Sequence, residues 1–195
     1  MYKKEMKIGN TSIAIETGKL AKQAGGSVLV TSGETVLLVT ATSGSDDAED
    51  RGFFPLSVDY REKFYASGKI PGGFFKREAR PSEKEIISSR LTDRPIRPLF
   101  PKGFNAETSV QINVLSYDGM NEPDILGTIG ASAALLISDI PWDGPVATVR
   151  VCRIDGKFHV NPTNDLMEEN GSDMEIIVSG TSDSIVMVEG SADFV

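Results

Sequence analysis

The chain has 195 residues, with 20 basic and 28 acidic side chains and a formal net charge of −8. A hydrophobic fraction of 39% with 25% charged residues excludes a disordered chain, and no apolar run reaches the roughly 18 residues of a membrane span. One cysteine, Cys152, excludes an internal disulfide framework, and one histidine, His159, excludes a multi-histidine metal site. The length fits a single domain, residues 1–195, and the first seven residues lack the apolar stretch of a signal peptide.

In chain order, residues 3–17 alternate around Met6, Ile8, Ile13 and Ile15 across Gly9-Asn10, which predicts a β-hairpin. Residues 27–31 and 35–42 predict a second pair, turning at Ser32-Gly33-Glu34. The run Val36-Leu37-Leu38-Val39 is nearly continuous and predicts a strand covered on both faces. Residues 43–52, with Asp46, Asp47, Glu49 and Asp50, read as a solvated acidic loop, and 56–64 alternate as a strand. A Gly- and Pro-containing loop follows from Ala66 to Pro81. Ser82 and Glu85 then form a capping-box pattern at the start of a helix. Its apolar stripe is Ile86, Ile87 and Leu91, and Pro95 and Pro98 are expected to end it. Val110, Ile112 and Val114 predict a strand, and 124–137 a smooth Gly/Ala-rich helix packed on a sheet. Residues 146–154, 157–160, 174–179 and 184–189 read as further strands, His159 and Cys152 being structural. Strands, then two helices, then strands again define an α+β class with mixed or antiparallel sheets and a few helices. Because the chain stops straight after an apolar strand, it reads as truncated before a last covering helix.

Charge is segregated. Residues 61–102 carry 11 basic and 5 acidic side chains, a net of +6, while the remainder carries 9 basic and 23 acidic, a net of −14. A positive patch within a negative body attracts a polyanion that the body repels. The plain alternative is a solvated loop with neighbouring counter-charges.

Within that patch, Phe74-Phe75-Lys76-Arg77 follows Pro71-Gly72-Gly73. Bases stack on aromatic faces irrespective of sequence while cations meet the phosphates, so this loop predicts a contact for single-stranded nucleic acid. Neighbouring residues on an extended loop point opposite ways, so one phenylalanine is expected to anchor in the core and the other to be free. Arg80 precedes a helix N-terminus, whose free N–H groups also attract anions. Arg90 and Arg94, four apart on one helix face, and Arg97 complete the candidate anion contacts. Asp93 and Glu83 offer them counter-charges.

The stretch from Phe74 to Pro101 resembles the signature of the polynucleotide phosphorylase family in its first RNase PH-like core domain. The resemblance continues through Ile15-Glu16-Thr17-Gly18, Phe53-Phe54-Pro55-Leu56, Gly130-Ala131-Ser132-Ala133-Ala134, Asn161-Pro162-Thr163 and Val178-Ser179-Gly180-Thr181. It implies 3′-to-5′ degradation of RNA by phosphorolysis, with phosphate as co-substrate and nucleoside diphosphates as products. It implies a longer protein with two such cores and RNA-binding modules, a homotrimeric ring around a channel, a cytoplasmic location and a place in a larger RNA-degradation complex. It assigns Phe74, Phe75, Lys76 and Arg77 to RNA binding in the channel, and Arg80 joins them as an RNA-binding candidate through its place before the helix N-terminus. Lys76 stands where the family usually has arginine, which keeps the charge but loses the bidentate fork. Ala79 stands where it usually has glycine.

The resemblance also implies that small hydroxyl residues and backbone amides at the start of the second helix hold phosphate in the catalytic core. Here that place reads Asn121-Glu122-Pro123-Asp124-Ile125. Two carboxylates there repel phosphate, and proline removes an amide donor. The magnesium-binding carboxylates implied by the family match Asp173 for the second and fall near Met167 for the first, with Glu168 and Glu169 out of register. Both magnesium and catalysis are therefore expected outside this chain. Three alternatives stay open: a self-sufficient single-core exoribonuclease of RNase PH type, a purely structural ring subunit, and an unrelated small-molecule enzyme. The last is weakened because the sequence has neither GxxxxGK[ST] nor GxGxxG.

Overall fold

The opening alternation folds as expected: β1 (Tyr2–Ile8) and β2 (Thr11–Thr17) form an antiparallel hairpin with Met6 opposite Ile13. The computed structural model describes residues 1–9, 11–45 and 52–193. The acidic run at 46, 47, 49 and 50 lies outside the described residues. Strands β3 (Gly26–Ser32) and β4 (Thr35–Ser43) pair with Ser32 opposite Thr35, where Gly33 takes the left-handed φ of +58° that closes the tight turn. After β5 (Leu56–Glu62), helix α1 (Glu83–Ile96) carries the chain over to β6 (Thr108–Ser116), which lies parallel to β5. The first sheet thus has six strands in the order β1-β2-β3-β4-β6-β5.

Helix α2 (Pro123–Ile137) leads into β7 (Ala147–Ile154), β8 (Lys157–Val160), α3 (Asn164–Asn170), β9 (Met174–Gly180) and β10 (Ile185–Ala192). The second sheet is antiparallel in the order β10-β9-β7-β8. Helices α1 and α2 lie between the sheets, α2 against β3, β4 and β6 on one side and β7 on the other. Tyr60, Ile13, Leu37, Ile96, Ile112 and Leu135 are sealed in the main core, and Leu91, Ile125, Ile177 and Met187 form a smaller cluster toward the second sheet. No helix among the described residues is long and apolar enough to cross a membrane.

The capping box is present as the sequence predicts. Ser82 Oγ accepts from Glu85 N at 3.2 Å, and Glu85 Oε2 accepts from Ser82 N at 2.6 Å. Several expectations change. Strand β4 is sealed on one face only, because Leu37, Val39 and Ala41 meet α2 while Val36 and Leu38 stay half-buried. Ile86 and Ile87 are about half exposed, at 49% and 52%. The inner face of α1 is instead made of Glu85, Ser88, Leu91, Thr92, Pro95 and Ile96. Small residues there let α1 approach α2 closely enough for the Thr92 and Thr128 hydroxyls to meet at 3.0 Å. Pro95 does not stop the helix, which runs to Ile96 before a 3-10 turn over Arg97–Leu99. Strand β5 ends at Glu62, and Phe64–Ser67 form a 3-10 turn. The segment around Glu168, to which the sequence pattern assigns no element, forms helix α3.

Candidate nucleic-acid interface

The loop after β5 is tied at its base. Arg61 Nη2 donates to Ala79 O at 3.0 Å, and Glu78 Oε1 accepts from Phe64 N at 3.1 Å. Above these ties, Phe74 and Phe75 are 94% and 72% exposed, so neither anchors in the core. They pack on each other instead, edge to face with centroids 5.5 Å apart, and the Arg77 guanidinium lies 5.0 Å over the Phe75 ring. The tip is therefore a small aromatic and cationic cluster of its own. Gly73 has φ +75°, and Lys76, at φ +50°, holds a left-handed conformation costly for a long side chain. Lys76 and Arg80 are exposed and have no carboxylate partner among the described residues.

The remaining arginines divide by partner. Arg90 is exposed and unpaired among the described residues. Arg94 on the same helix face pairs with Glu189 of β10 at 2.6 Å. Arg97, expected as an anion contact, is structural. Its guanidinium grips both oxygens of Asp93 at 2.6 and 2.9 Å and donates to the carbonyls of Phe54 and Leu56. Nor does the N-terminus of α1 await an anion beside Arg80. The Glu85 carboxylate already takes the N–H groups of Ser82 and Glu62, and Glu83 adds a further negative charge.

At the start of α2, both carboxylates are committed. Glu122 accepts from Tyr117 Oη at 3.0 Å and Asn164 Nδ2 at 2.9 Å, and its other oxygen lies 3.1 Å from Lys84 Nζ. Burial alone would push the Glu122 carboxyl up. The Asn164 hydrogen bond and the Lys84 charge outweigh it and hold the group ionised, below the usual range. Burial and the Glu122 charge raise the Tyr117 hydroxyl to about 12. Asp124 is buried against Arg150, 2.6 Å from its Nη2, and Arg150 Nε lies 2.9 Å from Glu175 without the angle of a hydrogen bond. An entering phosphate would have to displace the partners of both carboxylates.

The metal positions implied by the resemblance fit no metal. Asp173 accepts from Arg153 Nε at 2.8 Å, and the Met167 sulfur contacts the buried Cys152 Sγ at 3.7 Å. Among the described residues, no cluster of three or more His, Cys, Asp or Glu side chains could hold one. His159 is half-buried in β8, opposite Cys152. Sequence reasoning missed Arg61 and Glu78 as the ties of the loop base. Their only signal was membership of the charge-rich stretch, because a side chain that bonds to a distant carbonyl or amide leaves no local pattern.

Residues 11–141 match the 3′ exoribonuclease family, domain 1, and residues 144–195 match domain 2 of the same family. The polyribonucleotide nucleotidyltransferase of Geotalea uraniireducens is 56% identical over 190 residues, and that of Thermomicrobium roseum is 54% identical over 193. These alignments cover 97% and 99% of this chain but only 27% and 24% of the relatives, so the chain spans about a quarter of their length. Among solved structures, rice Rrp46 superposes with a TM-score of 0.72 at 13% identity, covering 94% of this chain and 81% of that one. A chain of the Archaeoglobus fulgidus exosome with RNA bound to the active site gives 0.67 at 18%, covering 98% and 80%. Sequence and fold agree, and the chain belongs to the 3′ exoribonuclease family of RNase PH-type domains.

Proposed function

We propose that this chain is the first core of a polyribonucleotide nucleotidyltransferase, an enzyme degrading RNA 3′-to-5′ by phosphorolysis. In this reading the chain grips single-stranded RNA and builds the ring, and the chemistry is done elsewhere in the protein. The observation that carries it is the tied loop with Phe74 and Phe75 exposed beside Lys76 and Arg77. High identity to polyribonucleotide nucleotidyltransferases supports the enzyme class. The committed Glu122 and Asp124 oppose phosphate binding at α2, and so favour a binding core over a self-sufficient exoribonuclease. Phosphate is the co-substrate of the intact enzyme. Magnesium belongs to the same proposal, but Asp173 and Met167 offer it no ligand set.

Homotrimer formation, a larger RNA-degradation complex and a cytoplasmic location rest on the resemblance. Exposed Ile86, Ile87, Ile185 and Val188 support burial of the α1–β10 side, by ring partners or by a later helix of the longer protein. The deciding experiment incubates a single-stranded RNA oligomer and phosphate with the intact protein and, separately, with residues 1–195. Nucleoside diphosphate released by the intact protein alone supports the reading. Release by residues 1–195 alone would establish the self-sufficient enzyme.

A further inference from the structure

The segment 63–80 carries five cations and one carboxylate, and that carboxylate, Glu78, is used by the Phe64 amide. Only part of this charge lies at the Phe74–Arg77 tip. At the base, the 3-10 turn presents Phe64 and Tyr65 at 40% and 57% exposure. Lys63 and Lys69 flank it, both without a carboxylate partner among the described residues, and both border one groove of about 200 Å³. The turn is firmly built. Lys69 N donates to Phe64 O and Gly68 N to Tyr65 O, each at 3.0 Å, and Tyr117 N donates to Ala66 O at 2.9 Å.

We infer that Tyr65, with Lys63 and Lys69, is a second contact for the same single-stranded RNA, stacking a base on the tyrosine ring and meeting phosphates with the two lysines. The inference rests on the reading of the tip as an RNA contact and extends it to the base of the loop. Reach supports it. The Phe64–Glu78 hydrogen bond fixes the turn beside residue 78, and Phe74 is four residues from there, at most about 14 Å of extended chain. One short oligonucleotide therefore spans both aromatic pairs. The two contacts differ in kind: the tip is carried by glycines, whereas the turn is closed by its own backbone bonds.

The test measures affinity of the intact protein for a fluorescent single-stranded oligoadenylate across a salt series. Tyr65→Ala should weaken binding about five- to 150-fold, the loss of one base stack, with an unchanged salt slope, and Tyr65→Phe should restore it. Lys63→Ala with Lys69→Ala should make the slope shallower by about 0.7 per lost phosphate contact. Wild-type affinity in Tyr65→Ala, while Lys76→Ala/Arg77→Ala weakens binding, would overturn this site and leave the tip reading standing. Wild-type affinity in both variants would overturn both. If Tyr65→Ala instead shifts the sedimentation coefficient with RNA affinity unchanged, the turn is a subunit contact and the inference fails.

Discussion

Phe74 and Phe75 adjoin in sequence and meet edge to face above a surface that buries neither. Alanine at either position should therefore leave the melting temperature unchanged. It should weaken single-stranded RNA binding by about 1–3 kcal/mol without altering the salt slope, because stacking releases no ions. Lys76→Ala with Arg77→Ala should act differently, flattening the slope of log affinity against log salt by about 0.7 for each lost phosphate contact. Affinity titrations at four salt concentrations, with a melting curve for each variant, separate the two effects. An unchanged slope in the double variant would remove this loop from the RNA path.

At the scale of elements, α2 is where sequence and packing are most tightly coupled. Gly130 faces β3 and β4 so closely that a Cβ would lie 2.6 Å from Val39 Cγ2 and 2.9 Å from Val30 Cγ2. Gly130→Ala should lower stability by about 1–3 kcal/mol despite alanine's better helix propensity, a sign that chemical denaturation reads directly. The start of α2 is tied to the second sheet by the buried Asp124–Arg150 pair. Asp124→Ala leaves a buried guanidinium short of its nearest partner and should cost about 3–5 kcal/mol. Just before α2, the Asp118 carboxylate accepts from the amides of Glu34, Met120 and Asn121, from Asn121 Nδ2 and from Thr35. Partial burial would raise it, but the Asn121 and Met120 bonds prevail and hold it far below its ordinary value of 3.8. Its stabilisation is complete above that value and is lost as pH falls below it. The melting-temperature gap between the wild type and Asp118→Asn should therefore be full at pH 6 and shrink below about pH 4.

Across the whole molecule, residues 61–102 carry a net of +6 against −14 in the remainder, and the exposed loop tip at 72–77 belongs to the positive segment. RNA captured at the tip should therefore be steered there and repelled elsewhere, with association rates falling steeply as salt rises. Residues 1–195 alone should release no nucleoside diphosphate from RNA and phosphate, because Lys84, Asn164 and Arg150 already engage the two carboxylates at the start of α2. Thin-layer separation of labelled products checks this directly, and any phosphate-dependent diphosphate refutes it.

The sequence by itself determined the α+β class, nearly every strand, the capped start of α1, the charged aromatic loop and the placing of two carboxylates, Glu122 and Asp124, at the start of α2. These are local properties: period-two alternation, a side chain reaching three residues along a helix, the sign of a charge. Tertiary structure alone decided which arginines are free. Arg90, Arg94 and Arg97 look equivalent in the chain, but only folding brings Glu189 to Arg94 and the Phe54 and Leu56 carbonyls to Arg97. It also decided that both phenylalanines face outward, that Ile86 and Ile87 are left off the core, and that Tyr65 stands at the base of the same loop. Each of these depends on contacts between residues distant along the chain, where neither periodicity nor spacing carries information.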